Sequence, residues 1–375
     1  MPPGHFTFST RTEPRNASWG ECSGLIRQGS SPRPSRCRHG IASQREVETA
    51  LLTLRDARHL VERAGLGPEW QRISAVRGRD RRAAVDIILR ETPKLLPPPE
   101  FAPFTSEAPR RKKLVKTGHR KEAIASFRRE RKLLQEWAVR QLLHNPAPLQ
   151  ERMVWFWHNH FTTSFLKVRF GQFMIDYDRI IRTHALGRFS DLLKATALSP
   201  AMLIYLDGRR NRREHPNENF ARELLELFTL GEGHYTEKDI REGARALTGW
   251  VINPRTGKVR FMRRRHDDGV KEFLGRKGRF GAADIFDIVL AHPRTAEFIC
   301  EKLWREFVSL EAPPPEVIRA WAATFRDSGY DIRAVIAAIL TSDAFWAKKA
   351  RGALVKSPID LVIGTLRTFN LEDVG

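Results

Sequence analysis

The chain has 375 residues, 41% of them hydrophobic and 29% charged, with a formal net charge of +21. That length supports one large domain or two ordinary ones, and a core of that size forms without a disulfide or metal staple. No apolar run approaches the ~18 to 20 residues that cross a bilayer, the N-terminus lacks a signal peptide's apolar stretch, and three cysteines are too few for a disulfide framework.

Residues 1–44 are polar and rich in Ser, Pro, Arg and Gly, which predicts a disordered tail that need not be a natural start. Cys22 and Cys37 lie in it at a spacing that matches no zinc pattern. Residues 45–375 read as a single helical domain. Val47, Leu51, Leu54, Val61 and Ala64 predict a helix over 46–64 that Gly65 stops, and a second helix follows over 81–91. Pro93 and Pro97-Pro98-Pro99 break regular structure, so 93–118 reads as a long connection. Residues 119–144 predict a long amphipathic helix, with Ile124, Phe127, Leu134, Trp137 and Leu142 on one side and arginines on the other.

Two thirds of the positive excess lies in residues 1–150. Its densest part runs from Arg110-Arg111-Lys112-Lys113 to Arg128-Arg129-Glu130-Arg131-Lys132. Such a stretch fits nucleic acid, an anionic membrane surface, or simply a solvated helix face. No aromatics interleave the arginines in a stacking pattern, so any nucleic-acid binding is expected to be nonspecific.

Further helices are predicted over 149–161, 171–184, 190–197, 217–230 and 237–248, the last opened by a capping-box-like Thr236 and Asp239. One small hairpin is predicted near 250–262, around Pro254-Arg255-Thr256-Gly257. Helices over 282–291, 293–307, 315–327 and 331–340 follow, with Pro293 at the first helical position and His292 as its cap. Cys300 sits among Phe298, Ile299 and Leu303, which predicts a buried thiol. The fold class is mainly α, an irregular multi-helix globular array.

Three polar constellations could carry chemistry. In Trp155-Phe156-Trp157-His158-Asn159-His160-Phe161, the two histidines point ~200° apart if the helix continues and can grip one metal only if it ends there. The other reading is a pair of hydrogen-bonded histidines in an aromatic core. In Asn217-Glu218-Asn219-Phe220-Ala221-Arg222-Glu223, the spacing suits either surface ion pairs or an inward Glu218 or Glu223 serving as base or metal ligand. The loop His266-Asp267-Asp268-Gly269 suits either a metal or anion ligand pair or a turn. The first two stretches are expected to pack together, a histidine donating to Glu218 or Glu223. The metal candidates are therefore His158, His160, Glu218, Glu223 and His266. The sequence names no cofactor, and it holds no Gly-x-Ser-x-Gly, His-Glu-x-x-His or phosphate-cradling glycine loop.

These stretches, together with Ala244-Arg245-Ala246-Leu247-Thr248-Gly249-Trp250, Phe273-Leu274-Gly275 and His292-Pro293, resemble the signatures of the bacterial family called domain of unknown function 1800. The resemblance runs from about residue 46 to 370. It implies a bacterial source and a mainly helical fold, and it implies no established activity, cofactor or catalytic residue. It also implies a partner from an uncharacterised family that resembles sulfatases and alkaline phosphatases, and relatives that often carry export signals. Three departures stand out. The missing signal peptide favours a cytoplasmic location here. Phe228 stands where some relatives have His. The chain stops at Gly375, short of a Pro-, Gly- and Trp-containing stretch, which predicts apolar surface at Leu361, Val362 and Leu366 and self-association through the last helix.

Three functional readings follow: a metal-assisted, hydrolase-like enzyme built on the polar His/Asn/Glu residues; a non-catalytic interaction or assembly protein; and a nonspecific nucleic-acid binder using 110–132. Convergence of the polar candidates on one pocket favours the first, and their scatter favours the second.

Overall fold

A computed structural model describes residues 50–371. The expected tail at 1–44 lies outside the described residues, with Cys22 and Cys37. So does the start of the expected first helix. Among the described residues, no helix is long and apolar enough to cross a membrane.

Helix α1 spans Leu54–Ala64 and opens on a reciprocal cap: Asp56 N–H donates to Thr53 Oγ1 and Thr53 N–H to Asp56 Oδ2. Helices α2 (Trp70–Val76) and α3 (Arg81–Leu89) complete a small N-terminal layer. The expected long connection over 93–118 is corrected, because 104–116 forms helix α4 (Phe104–Lys116). Pro109 lies inside it, the residue type that made the segment read as broken. What holds the turn is Glu107, whose carboxylate accepts from Arg110 Nε at 2.7 Å and Arg111 Nε at 2.5 Å. Despite burial, those two guanidinium groups pull Glu107 down to about 2.

Helix α5 (Arg120–His144) returns along α4, and its second half docks on α6 (Pro148–His160) and α8 (Gly171–His184). A short α7 (Phe165–Val168) lies between those two in sequence. Helices α9 (Phe189–Ala197) and α10 (Pro200–Tyr205) follow. Next comes α11 (Glu218–Glu223), which continues without a break as a π-helix over Leu224–Thr229. Helix α12 (Glu237–Ala246) begins at the predicted Thr236–Asp239 capping box. Helices α13 (Ala282–Ala291), α14 (Pro293–Phe307), α15 (Pro315–Asp327), α16 (Ile332–Thr341), α17 (Asp343–Trp346) and α18 (Pro358–Thr368) close the chain. His292 Nδ1 accepts from Arg294 N–H at 3.2 Å, the expected cap. Cys300 is a buried free thiol.

Two antiparallel hairpins interrupt the helices. The expected one pairs β1 (Trp250–Ile252) with β2 (Val259–Phe261), Trp250 opposite Phe261. Gly249, just before it, has φ +95°, which strains any larger residue, and a Cβ there would stand 2.8 Å from a Phe261 ring carbon and push that ring aside. The second hairpin, β3 (Lys271–Phe273) with β4 (Arg276–Gly278), was not expected. Leu274 and Gly275 both have positive φ, the tight turn that joins such short strands.

The core centres on α6, α8, α9, the π-helix and α14. Trp157, Phe161, Tyr177 and Phe189 are fully buried there. Trp157 lies 5.6 Å from Phe189 and Phe161 lies 5.1 Å from Phe228, ring centre to ring centre. Arg152 ties the periphery to this centre. Its guanidinium donates to the Gly65 carbonyl at 2.9 Å, to Glu306 at 2.6 Å and to Asp360 at 2.7 Å, joining α6 to α1, α14 and α18.

Candidate functional site

Helix α6 continues through His160, so its two histidines leave on opposite sides. His158 is half-buried and turns to α8, where Nε2 lies 3.0 Å from Asp178 Oδ1. Asp178 also accepts from Arg182 Nε at 2.6 Å. Arg182 in turn pairs with the fully buried Glu151, which takes a further bond from Asn145 Nδ2 at 2.5 Å. Burial alone would raise the Asp178 carboxyl, but His158 and Arg182 hold it below its ordinary value. A linear polar network thus runs from half-exposed His158 to buried Glu151. Asn159 is exposed at the helix edge, and its carbonyl accepts from Thr162 Oγ1 at 2.7 Å.

His160 faces inward, among the rings of Phe156, Trp157, Phe161, Phe189, Phe228 and Phe298. Its Nε2 donates to the Phe228 carbonyl at 3.1 Å, which leaves Nδ1 to accept from Lys302 Nζ at 3.1 Å. Lys302 also donates to the Leu227 carbonyl at 2.9 Å and lies 4.5 Å above the Phe298 ring. The π-helix makes these bonds available. Leu230 N–H reaches back five residues to the Leu225 carbonyl at 2.8 Å, and Thr229 Oγ1 to the Leu224 carbonyl at 2.6 Å. The carbonyls of Leu227 and Phe228 are met by side chains instead. Burial and the adjacent ammonium push His160 well below its usual value. Burial, with Arg305 nearby, brings Lys302 down to about 8. An amine that titrates there could serve as a base or nucleophile.

The residues of α11 are engaged elsewhere. Asn217 caps the helix, its Oδ1 accepting from Asn219 N–H at 3.1 Å, and its Nδ2 donates to the Leu206 carbonyl at 3.1 Å. The Asn219 side chain is exposed. Arg222 forks onto Glu237 of α12 through two bonds of 2.9 Å, with Glu218 at 3.8 Å. Glu223 is half-buried, and burial with the neighbouring Glu226 carboxylate raises its value. The expected bond from His158 or His160 to Glu218 or Glu223 is not made. Each imidazole has a nearer partner, Asp178 for one and a backbone carbonyl for the other.

The loop after β2 is closed on itself. His266 Nδ1 lies 3.1 Å from the Thr248 carbonyl. Asp267 takes Arg245 Nε at 2.7 Å and Nη2 at 3.1 Å, and its Oδ1 accepts from Gly269 N–H at 2.9 Å. Lys271, wholly buried, donates to the carbonyls of Asp267 and Gly269. The five metal candidates His158, His160, Glu218, Glu223 and His266 are therefore not brought together. Among the described residues, no group of three or more His, Cys, Asp or Glu is placed to hold a metal ion. The sequence reading passed over Asp178, Arg182, Glu151 and Lys302. They lie in ordinary helical segments, and only contacts from other helices set them apart.

His266 is thus held against the Thr248 carbonyl, and Asp267 by the Arg245 guanidinium. The family profile described as "Protein of unknown function (DUF1800)" matches residues 59–374, nearly the whole chain. The chain belongs to the DUF1800 family. No curated protein and no solved structure matches it. Within this DUF1800 chain, the matched region takes in α6, the π-helix, both hairpins and the helices to α18.

Proposed function

We propose that this DUF1800 protein is a non-catalytic interaction or assembly protein, whose signature motifs hold its helices in register. The observation that carries this reading is the separate engagement of each motif. His160 is taken up by the Phe228 carbonyl and Lys302, Asn217 by a helix cap, Arg222 by Glu237, and Asp267 by Arg245. Side chains already committed to distinct structural partners have little freedom to act as one reactive set. The partner class is the one the family resemblance implies, a sulfatase- or alkaline-phosphatase-like protein. Self-association through α18 is part of the same reading, since Leu361 and Val362 are 57% and 56% exposed on it. Elemental analysis of the purified chain, paired with unfolding measurements on motif variants, tests it. Substitutions at the partnered motif residues His160, Asn217, Arg222 and Asp267 should cost stability, and no stoichiometric metal should be found.

A hydrolase-like activity is the second reading. It is favoured by the half-exposed His158, which Asp178 orients from behind. Its metal-assisted form has no ligand group among the described residues.

A further inference from the structure

We propose that the tip of the α4–α5 hairpin is a docking element for an anionic phospholipid surface. Helix α4 ends at Lys116, Gly118 turns the chain with φ +82°, and α5 starts at Arg120. No residue of 108–129 is buried, so this half of the hairpin contributes nothing to the core. Lys112, Lys113, Lys116, Arg120 and Lys121 are all exposed on it. Among the described residues, none of the five has a carboxylate within ion-pair distance. The lower part of the hairpin differs, since Arg110 and Arg111 are tied to Glu107, and Arg111 also to Glu130.

A structural role accounts for only part of this charge. Lys113 and Lys116 suit the C-terminal end of α4, where a helix favours cations. Arg120 and Lys121 stand in the first turn of α5, where a helix disfavours them. Glu122, the acidic residue of that turn, offsets only part of this, and among the described residues it pairs with none of the tip's cations. Two aliphatic side chains sit among them, Val115 at 56% and Ile124 at 41% exposed. Free cations around exposed aliphatic groups match a membrane surface, which offers anionic headgroups above an apolar layer. The match to nucleic acid is poorer. The nearest Phe, Tyr or Trp along α5, Phe127, is stacked on Phe165 at 4.8 Å and covered by Arg169, so it is not free to stack on bases.

This names a partner surface and does not depend on the motifs being non-catalytic; an enzyme could carry the same tip. The test is sedimentation of the full chain with vesicles of two parts phosphatidylcholine to one part phosphatidylglycerol, and with pure phosphatidylcholine vesicles. The chain should bind the anionic vesicles only. Lys116→Glu with Lys121→Glu should weaken binding by roughly tenfold or more, since each cation near such a surface contributes about fivefold. Val115→Ser with Ile124→Ser should weaken it several-fold at unchanged charge. Both pairs fall where no side chain is buried, so the fold carries them. A parent chain left in the supernatant overturns the proposal, as does vesicle binding that neither pair changes. Binding of a DNA duplex that ignores Val115→Ser and Ile124→Ser, with no vesicle binding, assigns the tip to nucleic acid and also overturns it. Each of these failures leaves the reading of the motifs intact.

Discussion

Arg245 grips Asp267 through two parallel hydrogen bonds, Nε to Oδ2 at 2.7 Å and Nη2 to Oδ1 at 3.1 Å. The pair bolts the loop after β2 onto α12 and brings two family motifs together. Asp267→Asn keeps the shape and removes the charge. It should lower the unfolding free energy by about 2 kcal/mol at neutral pH. The Arg245 bond holds the Asp267 carboxyl below its ordinary value. Its contribution is therefore complete above the unfolded value of ~3.9 and is lost as pH falls through the lower folded value. Urea unfolding at pH 7 and again in strong acid should show the deficit of the variant shrinking.

Two buried histidines set a second pH dependence. His59 Nε2 donates to the Phe345 carbonyl at 3.0 Å, and burial lowers the imidazole to about 4. His160 is also held well below its usual value. Both stay neutral in the fold, while the unfolded chain takes up protons below ~6.5. Stability should therefore fall as pH drops from about 6.5 toward 4. Denaturant midpoints that stay level from pH 7 to pH 5 would contradict the buried, neutral assignment.

Lys302 should react with acylating reagents well below the pH at which ordinary lysines do. Its amine is brought to about 8 by burial, against ~10.4 for a free lysine. Peptide mapping after brief labelling across a pH series should give a midpoint near 8 at this residue. His160→Phe removes one of its two hydrogen-bond partners and should change its labelling rate, while distant surface lysines keep theirs.

Glu223 gives a prediction of the opposite sign. Burial and the adjacent Glu226 raise its value, so its ionised form is disfavoured in the fold. Glu223→Gln should leave stability unchanged or raise it slightly at pH 7. A loss of about 2 kcal/mol would mean that the carboxylate has a partner that its position does not suggest.

Much of this arrangement was legible from local chemistry. Thr236 with Asp239, and His292 with Pro293, marked helix starts, because a cap is built from residues a few positions apart. The hairpin at β1 and β2 was likewise announced by its turn. What stayed hidden depended on partners far along the chain. The π-helix at Leu224–Thr229 lies in a run of apolar residues whose spacing does not distinguish it from an α-helix. Its significance comes from His160 and Lys302, which meet its carbonyls from other helices. Helix α4 was hidden because the break at Pro93 and Pro97-Pro98-Pro99 was carried on to residue 118, and the Glu107 bonds that stabilise the turn around Pro109 are contacts and not a pattern. The polar motifs were found as motifs. That their side chains take separate partners depends on α6 continuing through His160, which turns its two imidazoles to different neighbours.

The most direct test of the account is the equilibrium unfolding of His160→Ala measured beside the metal content of the parent chain. The substitution leaves the Phe228 carbonyl without its donor and opens a gap among six aromatic rings. His160→Ala should lose about 2 kcal/mol or more, with no stoichiometric metal in either protein. Unchanged stability, together with a stoichiometric metal that the parent holds and the variant loses, would contradict it.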